Sequence, residues 1–282
     1  MRNSSSENFA NSPSTDNAVD GDSLTVEQAI ANLESADLGL RFYAAWWLGK
    51  FRVCEEAAVK GLIKALDDED DKTPEGGYPL RRNAARALGK LGDQQAVPAL
   101  IKSLECSDFY VREAAAQSLE MLGDPACVPT LSKLLAFGLH GEQLLTQQPD
   151  FSQPYDAILE ALGTLQATET IPLVKPFLEH PIERVQYAAA RAMYQLTKEP
   201  GYGERLVHAL KNDNLQLRRT ALADLGSIGY LPAAEAIAQT LAENSLKLIA
   251  LKGLLEHQVN QTHPPALSAG AIKVIDLMDS LL

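Results

Sequence analysis

Two adjacent arginines, Arg81 and Arg82, and an aromatic segment, Tyr43, Trp46 and Trp47, are the residues of this 282-residue chain whose types and positions best suit contact with a ligand or partner. A guanidinium group binds a carboxylate through two parallel hydrogen bonds, and indole or phenol rings combine a stacking face with a polar edge. Tyr43 and Trp46 stand at i and i+3 on one helix face, which by itself suits a core. Trp47 points about a quarter-turn away, so both indoles cannot occupy one narrow buried stripe, and an exposed patch for a partner or ligand is the competing reading. Tyr110 and Tyr155, with Tyr78, Phe109 and Phe151, fall at helix entrances and insertions, where rings either anchor loops or line a pocket.

Other chemistry finds little support. The five histidines include no HExxH pair and no pair at helical ligand spacing, so no metal site is expected. His140 alone falls in an insertion. No GxSxG, GxxxxGK[ST] or strand-linked GxGxxG occurs, and no catalytic residue is identified. Cys54, Cys106 and Cys127 are too few and too scattered for a disulfide framework or a zinc site, which suits a reducing, cytoplasmic setting. A net charge of −12 disfavours nucleic acid and anionic membranes as partners. No apolar run reaches the roughly 20 residues of a membrane span. The acidic run Asp67 to Asp71 reads as a solvated loop that can steer a basic surface.

The elements that must position these residues are helical. Residues 1–22 are rich in Ser, Asn and Asp and read as a disordered leader; residues 23–282 read as one domain. Within it, Leu80 to Asp93 (LRRNAARALGKLGD) overlays Val111 to Asp124 (VREAAAQSLEMLGD), Leu217 to Tyr230 and Leu40 to Phe51, with weaker copies from Pro154, Val185 and Leu246. Small pairs (Ala44 and Ala45, Ala84 and Ala85, Ala115 and Ala116) let neighbouring helices approach, and the leucines form the buried stripe. Gly92 and Gly123 suit left-handed helix ends, and Pro98 suits a first helical turn. The unit is a helical hairpin of roughly 30 residues, and about seven of them make an all-α, HEAT-like α-solenoid. Residues 266–282, after Pro264 and Pro265, read as a capping helix.

Repeat spacing then locates function. Arg81 to Arg112 is a step of 31 residues, but Arg41 to Arg81 is 40 and Arg112 to Tyr155 is 43. The excess falls in residues 67–79 and 137–154, each between the two helices of its hairpin. Both insertions therefore project from one rim, and long loops on a regular scaffold tend to carry function. Asp37 with Arg41, Asp108 with Arg112 and Asn214 with Arg218 repeat one four-residue spacing. They form either a row of ligand-binding guanidinium groups or, as preferred here, a structural ladder in which Asp or Asn caps the second helix and accepts from an adjacent repeat's Arg. Arg81 and Arg82 lack that acidic partner and remain the ligand candidates.

LTVEQAIANL (Leu24 to Leu33), LGLRFYAAWWLGKFRV (Leu38 to Val53) and PLRRNAARALGKLGD (Pro79 to Asp93) closely resemble the E/F-type phycobilin lyases, and among these the E-type (alpha) subunits. The similarity runs from residue 24 to about 258. It implies one subunit of a heterodimeric lyase, paired with an F-type subunit, that attaches phycocyanobilin by a thioether to a cysteine of the phycocyanin alpha subunit. The pigment is then a substrate and no cofactor is implied. Family likeness leaves open a lyase-isomerase subunit for phycoerythrocyanin, or a non-catalytic phycobilisome assembly scaffold. On this resemblance, Arg81 and Arg82 are expected to meet the propionates, Asp156 the pyrrole nitrogens, and Tyr43, Trp46, Trp47 and Tyr110 the π surface, with Tyr155 a further bilin-site candidate.

Overall fold

In the computed structural model, residues 24–141, 143–145, 153–260 and 267–282 are described. The leader, Phe151, part of the second insertion and the Pro264-Pro265 segment lie outside the described residues. The chain folds into successive helix pairs: α1 (Val26–Asn32) with α2 (Leu38–Phe51), α3 (Glu56–Ala65) with α4 (Pro79–Leu91), and α5 (Val97–Ser103) with α6 (Phe109–Leu122). Next come α7 (Val128–Ala136) with α8 (Tyr155–Thr164), and α9 (Ile171–Val174) with α10 (Glu183–Thr197). The last pairs are α11 (Pro200–Ala209) with α12 (Leu215–Ile228), and α13 (Ala234–Gln239) with α14 (Asn244–Asn260), followed by α15 (Ala269–Asp279) packed on α13 and α14. Helix α9 is short because Pro176 lacks the amide donor that would continue its ladder, and the chain continues as a 3-10 stretch, Lys175–Glu179.

The second helix of each pair packs on the second helix of its neighbours, from α2 through α4, α6, α8, α10 and α12 to α14, while the first helices form the other layer. No pair could cover its apolar stripe alone, so the core is one continuous seam. Ala44, Ala45, Ala84, Ala85, Ala115 and Ala116 are fully buried between the layers. Glycines permit close approaches along the seam. A β-carbon on Gly49 would lie 2.8 Å from the Ala87 backbone, and one on Gly253 would lie 2.5 Å from the Gly226 carbonyl oxygen. Gly92 and Gly123 end α4 and α6 in the left-handed region.

Both insertions occupy turns between first and second helices, hence one rim. The third pair ties them together: Asp108 accepts from the Tyr78 amide of the first insertion at 2.7 Å, and Arg112 Nε donates to Gln153 of the second at 3.1 Å. The second insertion holds the only strands among the described residues, β1 (Leu139–His140) and β2 (Gln143–Leu144), paired antiparallel. The first is solvated along Asp67, Glu69 and Asp70, as its charge suggested, but it is also tied down. Asp68 pairs with Arg41, Glu69 with Arg81, and Asp71 accepts from the Leu80 amide at the start of α4. The acidic run is a set of clamps.

The ladder differs from its expected wiring. Asp37, Asp108 and Asn214 do cap α2, α6 and α12, each accepting from the backbone two residues on. Their arginines bind other acceptors. Arg41 turns to Asp68 and Asp70 of the first insertion, Arg112 to the carbonyls of Cys106 and Ser107, and Arg218 to those of Asn212, Asp213 and Leu241. The cap side-chain oxygen is already engaged by backbone amides, so the guanidinium closes the rim turn instead.

Candidate functional site

The starts of α6, α8 and α10 enclose a cavity of about 500 Å³, well within the roughly 300–1,000 Å³ of small-molecule sites. Its walls are aromatic where the helices begin. Helix α6 contributes Phe109 and Tyr110, whose rings meet edge to face at 5.5 Å, with Tyr110 55% exposed. Helix α8 contributes Tyr155, packed 5.0 Å from Phe177 and 5.8 Å from His180. Burial raises the Tyr155 phenol pKa above its ordinary value, keeping it a neutral hydrogen-bonding group. Gly138 lets the second insertion press against that ring, since a β-carbon there would lie 2.8 Å from the phenol oxygen.

His180, just before α10, was not singled out from sequence. Burial lowers its pKa, and Nδ1 accepts from the Ile182 amide at 3.2 Å. The proton of the neutral ring therefore sits on Nε2, a donor for the cavity. His140, the histidine favoured by position, is exposed on β1. The polar floor is an ion-pair chain in which Arg184 binds Asp156 and, at 3.2 Å, Glu113, while Arg86 stands 4.0 Å from Glu113. Asp156 is thus neutralised by Arg184 and is not a free counter-ion for pyrrole nitrogens. That pairing could not be read from the repeat frame, because the fifth repeat carries Gln186 at the lead position and its charge two residues earlier.

Arg81 and Arg82 separate sharply. Arg81 is mostly buried: it donates to the Asp68 carbonyl at 2.6 Å, pairs with Glu69 and lies 4.0 Å from the Tyr78 ring. It holds the first insertion shut and is not a ligand contact. Arg82 pairs with no carboxylate among the described residues; its Nε is buried without a hydrogen-bond partner, and its guanidinium lies 5.8 Å from the Tyr110 ring. A cation beside the cavity without an anion is what a carboxylate-bearing ligand needs.

The aromatic segment also divides. Trp47 is half-buried against the core and 4.6 Å from Phe51, so it is a packing residue. Tyr43 and Trp46 are 46% and 41% exposed with ring centroids 5.5 Å apart. Trp46 lines a separate groove of about 210 Å³ between α2 and α4, with Asn83, Arg86 and Lys90. Lys50 lies 4.6 Å over its ring. The structure does not bring Tyr43 and Trp46 together with Tyr110 and Tyr155.

Comparison with known proteins follows the same outline. Profiles of HEAT repeats match residues 77–137 and 142–226, and a profile of the PBS lyase HEAT-like repeat matches residues 40–68. The phycocyanobilin lyase subunit alpha of Microchaete diplosiphon is 68% identical over 94% of this chain and 92% of its own length. The bilin biosynthesis protein PecE of Mastigocladus laminosus is 50% identical over 83% of this chain and 82% of its own length. Among solved structures, the complex of CpcE and CpcF of phycocyanin lyase from Nostoc sp. PCC7120 contains a chain with 63% identity and a TM-score of 0.84, covering 99% of this chain and 100% of that one.

Proposed function

Because this chain belongs to the family of phycocyanobilin lyase alpha subunits, we propose that it attaches phycocyanobilin through a thioether to a cysteine of the phycocyanin alpha subunit. It does so as one half of a heterodimer with an F-type subunit, in the cytoplasm during phycobilisome assembly, with the pigment as substrate and no cofactor. The higher identity to phycocyanobilin lyase subunits than to PecE favours attachment without isomerisation.

One observation carries the assignment to a site: an aromatic cavity of about 500 Å³ beside an arginine that no anion pairs with among the described residues. An open-chain tetrapyrrole has a π surface for Tyr110 and Tyr155, propionates for Arg82, and terminal lactam carbonyls for the Nε2–H of His180. The acceptor thiol adds across the exocyclic double bond of ring A, sulfur to the exocyclic carbon and hydrogen to the adjacent ring carbon. The nucleophile belongs to the phycobiliprotein. Cys127 of this chain cannot serve, since burial pushes its thiol up to about 11 and leaves no thiolate at neutral pH. The work left to the lyase is to hold the pigment in one orientation and exclude water. Tyr43 and Trp46, outside the cavity, serve as an apolar contact for the partner subunit.

The test is co-expression with phycocyanobilin, an F-type subunit and apo-phycocyanin alpha, read as covalent colour in a denaturing gel. Tyr110→Ala and Arg82→Ala should each cut attachment by about tenfold or more while helicity persists. Full attachment by both variants would remove the cavity from the pathway.

A further inference from the structure

Beside the cavity, the second-helix layer carries a group of charges that the pigment-binding reading leaves unused. Arg191 on α10 reaches three carboxylates: Glu120 on α6 at 2.7 Å, Glu160 on α8 at 3.4 Å and Asp224 on α12 at 3.3 Å. The four side chains are only 12%, 17%, 21% and 3% exposed, respectively. Thr164 donates to Glu120 at 2.8 Å, but Asp224 Oδ2 is buried with no hydrogen-bond partner among the described residues. Asp156 adds a further carboxylate on the Glu160 side, already matched by Arg184. One guanidinium against three carboxylates leaves an excess of two negative charges in a region of low dielectric. Such an excess takes up a proton or attracts a cation.

Glu160 is the most exposed of the three acids and lies four residues after Asp156, hence on the same helix face, one turn from the cavity floor. Burial, reinforced by the charge on Asp224 and opposed by Arg191, pushes its carboxyl up to about 8, so it carries a proton at neutral pH.

We propose that Glu160 gives its proton to the bound bilin and remains as the carboxylate counter-ion, so that the pigment is held and activated as a cation. This rests on the reading that the bilin occupies the adjoining cavity. The proton leaves the carboxyl oxygen for the lone pair of the one imine-type nitrogen of the conjugated system, a neutral pair becoming an ion pair with no carbon bond changed. Protonation draws electron density from the conjugated chain and makes the exocyclic ring-A carbon a better target for the acceptor thiolate. Arg191, held also by Glu120 and Asp224, stays beside Glu160 at 3.4 Å and faces the carboxylate that forms there.

The experiment uses the heterodimer loaded with phycocyanobilin, recording absorption from about pH 6 to about pH 9. The wild type should show the intensified, red-shifted band of a protonated tetrapyrrole at neutral pH. Glu160→Gln should bind pigment as the free base, with that band lost and attachment to apo-phycocyanin alpha reduced by about a hundredfold. Asp224→Asn, which removes a charge that raises the Glu160 carboxyl, should move the pH midpoint of the spectral change downward, a response that a merely structural role would not give. A Glu160→Gln complex with the cation spectrum and wild-type attachment overturns the proposal. Tyr110→Ala separates the two readings: if it alone loses pigment while Glu160→Gln keeps the cation spectrum, only the proton assignment fails. Undiminished pigment binding by Tyr110→Ala removes the site itself.

Discussion

Glu160→Gln should make the isolated chain more stable at alkaline pH, although it removes a partner of a buried arginine. In the unfolded chain the carboxyl ionises near its ordinary value of 4.5; in the folded chain it ionises near 8. Below about pH 4.5 both states hold the proton and no penalty exists. Between those values the folded chain keeps a proton that the unfolded chain has released, so stability falls as pH rises, and above about 8 the full cost of a buried ionised acid is present. At about 1.4 kcal/mol for each tenfold change, the interval from 4.5 to about 8 corresponds to an upper bound of about 5 kcal/mol. Glutamine carries none of this, and Arg191 keeps Glu120 and Asp224 as partners. Urea unfolding of both proteins at about pH 5, 7 and 9 isolates the effect as a difference. The two curves should nearly coincide at pH 5 and diverge in favour of the variant by several kcal/mol at pH 9. A variant less stable than wild type at pH 9 would refute the electrostatic account of this cluster.

Arg81→Ala should lower stability by about 1–3 kcal/mol and raise proteolysis within residues 67–78, because it releases Glu69 and the Asp68 carbonyl; Arg82→Ala should leave both unchanged, as measured by thermal unfolding and limited proteolysis. Trp47→Ala should cost about 2–3 kcal/mol through lost packing on Phe51, whereas Trp46→Ala should cost under about 1 kcal/mol and weaken co-purification with the F-type subunit. Gly201→Ala meets nothing within 4 Å and should stabilise α11 by about 0.5–1 kcal/mol. Gly253→Ala gains the same helical propensity but drives a β-carbon into the Gly226 backbone, so its net effect should be a loss of about 1–2 kcal/mol, seen by hydrogen exchange as opening of α12 and α14.

Much of the architecture was legible from repetition. Overlaying Leu80 to Asp93 on Val111 to Asp124 located α4 and α6, the buried alanine pairs and the left-handed glycines at once, because each of these follows from local backbone chemistry and a fixed repeat. Step lengths of 40 and 43 residues in place of 31 located both insertions, and the bonds from Asp108 and Arg112 to those insertions put them on one rim. The site itself was only partly legible. Tyr110, Tyr155 and Arg82 lie at or beside the cavity, but Arg81, next to Arg82 in sequence, points a quarter-turn away into the fold-back of the acidic run. Nothing local says that Asp68 and Glu69 return to the start of α4. His180, Arg184 and Arg191 escaped notice because their significance depends on which residues sit beside them two and three repeats away, and that follows only from how the helices stack.

The double duty of Asp108 has a practical consequence. One oxygen accepts from the Tyr110 amide and the other from Tyr78, so the entrance of α6 and the far end of the first insertion form a single joint. Asp71, bonded to the Leu80 amide, fixes the near end. Between these anchors the chain makes a small turn, with Gly76 donating to the Thr73 carbonyl at 2.9 Å and facing open space. That tip is a permissive point for grafting: an epitope or fluorophore spliced at Gly76 would hang outside both anchors and report on assembly of the heterodimer without disturbing the aromatic cavity.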